Sequence, residues 1–159
     1  MEVLERLPAT TTRVERSTDS AINQEIRRRS DADVTRLEGA ARDAFERRLS
    51  TLEDEWDIER VLQLNASILA LTGLALGQLV DRRFLLLPAA IFTFLAQHAV
   101  QGWCPPIPVF RRLGIRTARE IERERYAVKT LRGDFDDVPA RGNAGPEERA
   151  RAALRAVDR

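Results

Sequence analysis

Cys104 is the only cysteine and His98 the only histidine among 159 residues. A lone thiol forms no intramolecular disulfide and cannot build a four-ligand zinc site. A metal at His98 would need carboxylates, which the apolar run around it lacks, so the sequence predicts neither metal nor cofactor. Cys104 itself is the candidate reactive thiol. Pro105 and Pro106 deny it a helical environment, and Arg111 and Arg112, with His98 one to two turns back, are expected to lower its pKa and favour the thiolate. That chemistry suits a sulfur carrier, a redox sensor or a palmitoylation site. The competing reading is a small apolar residue in a tight corner. No other residue pattern forms a catalytic constellation, and the chain is not expected to be an enzyme.

A second set of candidates is polar but not catalytic. Gln63, Asn65 and Ser67 precede, and Gln97, His98 and Gln101 follow, at positions that share one depth if their two segments run antiparallel. Polar groups in such surroundings serve as interhelical glue or line a pathway. The other reading is partial hydration close to a membrane surface.

The elements that must position these residues are two apolar runs, Val61 to Val80 and Phe84 to Trp103. They are separated by Asp81-Arg82-Arg83, the only charged residues between Val61 and Phe110. At about 1.5 Å per residue each run spans about 30 Å, the hydrocarbon thickness of a bilayer. Without a charged stripe neither can be an ordinary amphipathic surface helix. The sequence therefore predicts a transmembrane helical hairpin with spans at about 61–80 and 84–103, although the mean hydropathy of the chain is negative. The soluble alternative is a hairpin buried inside a helical bundle. The first twenty residues lack the apolar core of a secretory signal, so the hairpin itself is expected to direct insertion.

Trp56 and Trp103 flank the open end of the hairpin, where indole rings favour a membrane interface. Arginines concentrate before and after the hairpin, at Arg42, Arg47, Arg48 and Arg60 and at Arg111, Arg112, Arg116, Arg119 and Arg123. Only Arg82 and Arg83 occupy its turn. The positive-inside rule then makes both termini cytoplasmic. Lys and Arg together number 26 and Asp and Glu 25, so no net field points to nucleic acid. The bilayer is the expected partner.

Small residues Ala66, Ala70, Gly73 and Gly77 recur at spacings of four, three and four on the first span. Such a groove lets helices approach closely in lipid. It forms either a homodimer face or a seat for Ala89, Ala90, Thr93 and Ala96 of the same hairpin.

The flanks read as amphipathic helices, which makes the fold class all-α. Met1 to Thr12 is expected to be a mobile lead-in. Thr18-Asp19-Ser20 could cap a short helix bearing Ile22 and Ile26 and closed near Arg27-Arg28-Arg29. Ser30-Asp31-Ala32-Asp33 and Ser50-Thr51-Leu52-Glu53 each have the capping-box form and predict helix starts. From Ser30 onward, Val34, Leu37, Ala41, Phe45, Leu49, Leu52 and Trp56 predict one apolar face. That face is a dimerisation seam, a surface along the headgroups, or local core. Thr117-Ala118-Arg119-Glu120 predicts a helix to Leu131 that stops at Gly133, with Ile121, Val128 and Leu131 inside. Val138 to Pro146 reads as a linker before a last helix, helical only on contact with lipid or another chain.

Gly102-Trp103-Cys104-Pro105, with Leu113-Gly114-Ile115-Arg116-Thr117 after it and Asp57-Ile58-Glu59-Arg60 at the entry, resembles the YgaP-like inner-membrane domain family. The likeness covers roughly Trp56 to Thr117. It implies a two-helix hairpin of the bacterial inner membrane, able to form helix-packed dimers. The rhodanese domain that accompanies the hairpin in the namesake has no counterpart here, so its activity is not implied. Pro106, Pro108 and the longer stretch from Cys104 to Gly114 depart from the family pattern. The expected organisation is an N-terminal cytoplasmic helical segment at 1–55, the hairpin unit at 56–117, and a C-terminal segment at 118–159. The expected role is an oligomeric membrane anchor or scaffold, with a thiol protein using Cys104 as the alternative.

Overall fold

The two apolar runs form the two helices that pack most extensively on one another. The structure, a computed structural model, describes residues 9–159, and no strand occurs among them. In chain order the helices are α1 (Arg13–Arg16), α2 (Ser20–Arg36), α3 (Arg42–Asp54), α4 (Ile58–Leu79), a 3-10 turn (Arg82–Leu85), α5 (Leu86–Gln101), α6 (Ile107–Arg112), α7 (Ala118–Arg132) and α8 (Pro146–Asp158). Of the expected lead-in Met1–Thr12, residues 1–8 lie outside the described part, and Ala9 to Thr12 form a turn into α1.

The described chain divides into two units. One joins the residues up to Arg28 with Trp56–Ile121; the other joins Arg29–Glu55 with Glu122–Arg159. The segment expected as a single N-terminal body at 1–55 is thus shared between them.

In the first unit, Asp57 opens α4 by accepting the Arg60 amide at 2.9 Å. Asp81 turns the chain by accepting the Arg83 amide at 2.8 Å, and α5 then runs back along α4. Pro88 stands in the first turn of α5, where a missing amide proton costs no helical bond. The short core of this unit, Val14, Ile58, Leu62, Cys104 and Ile107, sits at the open end of the hairpin, with Leu95, Phe110 and Ile115 against it.

Away from that core the two helices are uncovered. The segments Arg42–Leu79, which ends with α4, and Arg82–Gln101, which ends with α5, are long and apolar enough to cross a membrane by length and composition, and their most apolar 18-residue stretches are only 28% and 11% buried. Leu71, Leu79, Leu86 and Phe92 all stand exposed.

The flanks correct several expected boundaries. Asp19 does cap α2, accepting the Ala21 amide at 2.8 Å, but the helix continues past Arg27-Arg28-Arg29 and through Ser30, which is buried within it. Ser50 and Thr51 likewise lie inside α3, where Thr51 Oγ1 donates to the Arg47 carbonyl at 2.9 Å. The break falls instead at Glu55–Asp57. The Val34 to Trp56 face is interrupted between α2 and α3, so only Phe45 and Leu52 of it are buried.

In the second unit, Arg48 Nε donates to Glu124 Oε1 at 2.7 Å and Arg48 Nη2 to Asp33 at 2.9 Å, while Arg123 reaches Asp31 at 2.8 Å. Val128 is buried, but Leu131, expected beside it, is exposed. The last helix starts at Pro146 as expected. It is seated on its own chain through buried Ala152 and Ala156, and Lys129 Nζ donates to the Val157 carbonyl at 2.6 Å.

Candidate functional site

The chemistry of the first unit collects at the open end of the hairpin. Glu59 stands in the first turn of α4 and His98 in the last turn of α5, which the antiparallel arrangement brings together. His98 Nε2 lies 2.8 Å from Glu59 Oε2, and Arg13 of α1 donates to Glu59 Oε1 at 2.8 Å. The His98 side chain is 6% exposed, and its Nδ1 has no hydrogen-bond partner among the described residues. The arrangement ties α1, α4 and α5 together electrostatically.

Gly102 lets α1 approach this corner. It ends α5 with φ +76°, and a Cβ there would stand 2.5 Å from the backbone carbon and oxygen of Arg13. Only glycine both adopts the left-handed conformation at little cost and leaves room for the neighbouring backbone. Ser17 Oγ adds a bond to the Gln101 carbonyl at 3.1 Å.

A second buried network fixes the chain after the hairpin. Arg111 is 1% exposed and donates to both oxygens of Glu120 at 2.6 and 2.7 Å, to Asn23 Oδ1 at 2.8 Å and to the Ile115 carbonyl at 3.1 Å. The expected capping box closes reciprocally: the Thr117 amide donates to Glu120 at 2.8 Å, and the Glu120 amide to Thr117 Oγ1 at 3.2 Å. Burial works to raise the Glu120 pKa, but the Arg111 hydrogen bonds, the Thr117 amide and the Arg111 charge outweigh it and hold the carboxyl below its ordinary value.

Cys104 belongs to the hydrophobic core and is 4% exposed. Burial pushes its thiol pKa up, opposite to the lowering expected from the neighbouring arginines and histidine. Of the neighbours expected to lower it, Arg111 is bonded to Glu120 and His98 lies against Glu59.

The small-residue groove is occupied within the chain. Ala66, Ala70, Gly73 and Gly77 are all buried. A Cβ on Gly73 would lie 2.6 Å from Pro88 Cδ, and one on Gly77 would lie 2.5 Å from Leu85 Cδ2. At Gly73 and Gly77 the groove is filled by Leu85, Leu87 and Pro88 of the same hairpin. At Gly73 and Gly77 the nearest atoms do not come from the expected Ala89, Ala90, Thr93 and Ala96.

Gln63 and Asn65 are exposed, Gln97 donates to Gln101 at 3.4 Å, and His98 turns to Glu59. Sequence reasoning missed Glu59 because it looked for carboxylates inside the apolar runs. Matching the depth of the last turn of α5 to the entry Asp57-Ile58-Glu59-Arg60 would have found it. At that same end Arg60 lies over the Trp56 ring, 4.0 Å from its centroid, and both Trp56 and Trp103 are exposed. Among the described residues no group of three or more His, Cys, Asp or Glu is placed to hold a metal ion. No family model matches the chain, and no curated protein or solved structure matches it.

Proposed function

We propose that this chain is an integral membrane hairpin that anchors its two polar helical flanks at one face of a bacterial plasma membrane, acting as an oligomeric anchor or scaffold. The observation that carries the reading is the uncovered apolar surface of α4 and α5, set against flanks that hold nearly all the charge. In water that surface would be an aggregation liability, whereas in a bilayer it is the surface the solvent requires. Trp56, Trp103 and Arg60 at the open end suit an interfacial belt, and the arginine distribution supports a cytoplasmic location for both termini. The likeness of roughly Trp56 to Thr117 to the YgaP-like inner-membrane domain is part of this proposal and rests on residues 57–60, 102–105 and 113–117. At Gly73 and Gly77 the small-residue face is filled from within, so a second copy would pack on the hairpin elsewhere.

The alternative proposal, a membrane thiol protein using Cys104 for sulfur handling or redox sensing, is weaker because the thiol is buried and its pKa raised. Reporter fusions test the preferred reading. A reporter active only in the cytoplasm should light up at both termini, and a periplasmic signal at either end would overturn the topology. Release of the protein from membranes by a carbonate wash would overturn the membrane reading altogether. Cys104→Ser tests the alternative: loss of function with insertion and oligomer state intact would support it, and no phenotype would leave the scaffold.

A further inference from the structure

An apolar cleft of about 140 Å³ lies between α4 and α5 below the exit of the hairpin. Ala66 and Leu69 of α4, Ile91 and Phe94 of α5, and Cys104 and Pro105 of the exit segment line it, and Asn65 is the one polar side chain on its wall. Leu69 and Phe94 are 44% and 38% exposed, so the cleft opens sideways onto the uncovered apolar face of the hairpin.

We infer that this cleft holds an acyl chain of a membrane phospholipid, an inference that rests on the membrane reading above. Three features point to this occupant. The lining is hydrocarbon, and apolar cavities of about this size stay dry and take up small hydrocarbons instead. The cleft is continuous with the face that the bilayer would surround. The lining also runs along the helix axis: from Leu62 to Leu69 it advances about 10 Å along α4, within the depth of a single leaflet, and it includes Cys104 and Pro105 where the span ends. A chain lying beside the helices in that leaflet enters by a lateral step and leaves its headgroup at the level of Trp103.

The full-length chain in phosphatidylethanolamine–phosphatidylglycerol vesicles, doped with a phospholipid bearing a diazirine in mid-chain, tests this by photolysis and residue-level mapping of adducts. Adducts on Ala66, Leu69, Ile91 and Phe94 should exceed those on Ile68 and Phe92, which are exposed at the same depth, by several-fold. Ala66→Phe, which fills the cleft, should lower the first group and leave the second unchanged. An even spread over all six positions in the unaltered chain would overturn the inference and leave the membrane reading standing. So would adducts on Ile68 and Phe92 alone, which mean a closed cleft or one taken by a second copy. No adducts on either helix would overturn the membrane reading itself. The comparison within the unaltered chain decides the matter even if the variant fails to fold.

Discussion

Replacing Gly102 by alanine tests how the open end of the hairpin is held together. Two costs add at this position. The left-handed backbone, φ +76°, costs an L-residue about 1–2 kcal/mol. The new Cβ would also meet the Arg13 carbonyl group at 2.5 Å, and backbone cannot yield as a flexible side chain can. Crowding of that kind costs about 1–3 kcal/mol. The expected loss is therefore about 2–5 kcal/mol. Displacing α1 would in addition loosen the Arg13–Glu59 contact. Gly102→Asn separates the two costs, because asparagine tolerates the left-handed conformation yet carries the same Cβ. Denaturation in micelles, followed by the fluorescence of Trp103 next in sequence, should find Asn destabilising too, by at least about 1 kcal/mol. If Asn restored full stability, the close approach of α1 would be refuted and backbone conformation alone would explain the glycine.

Other expectations follow from the same geometry. Gly73→Leu should splay the hairpin against Pro88, lengthening the distance between spin labels at Ile68 and Phe92; an unchanged distance would mean the helices do not meet there. The depressed Glu120 pKa makes its contribution fully present above its ordinary value of 4.5 and lost as pH falls from there through the lower folded value. Denaturation midpoints should accordingly drop with acid in that window, and Glu120→Gln should flatten the drop. Cys104 should react with a maleimide at neutral pH far more slowly in the folded protein than after unfolding; equal rates would contradict its burial.

The sequence reveals the elements that depend on local composition and hides those that depend on long-range pairing. Two charge-free runs around Asp81-Arg82-Arg83 give the hairpin directly, with helix ends displaced by only a few residues from the expected ones. Thr117 and Pro146 mark real helix starts because nothing upstream of them is already helical. Ser30 and Ser50 have comparable local patterns and fail, since each lies in a helix that began earlier and is continued by tertiary packing. Arg13, Glu59 and His98 are far apart in sequence, and in a chain so rich in charge nothing local singles out which ions will pair. The Cys104 environment is hidden in the same way: Arg111 and His98, near it in sequence, pair with Glu120 and Glu59.

The most direct test of the account is the side of the membrane on which the hairpin turn emerges. In a Cys104→Ala background, a cysteine introduced at Arg82 should be labelled by a membrane-impermeant maleimide added outside intact cells, while one at Asp57 should be labelled only after permeabilisation. If the Arg82 position stays unlabelled until the cells are opened, the hairpin does not cross the bilayer and the account is wrong.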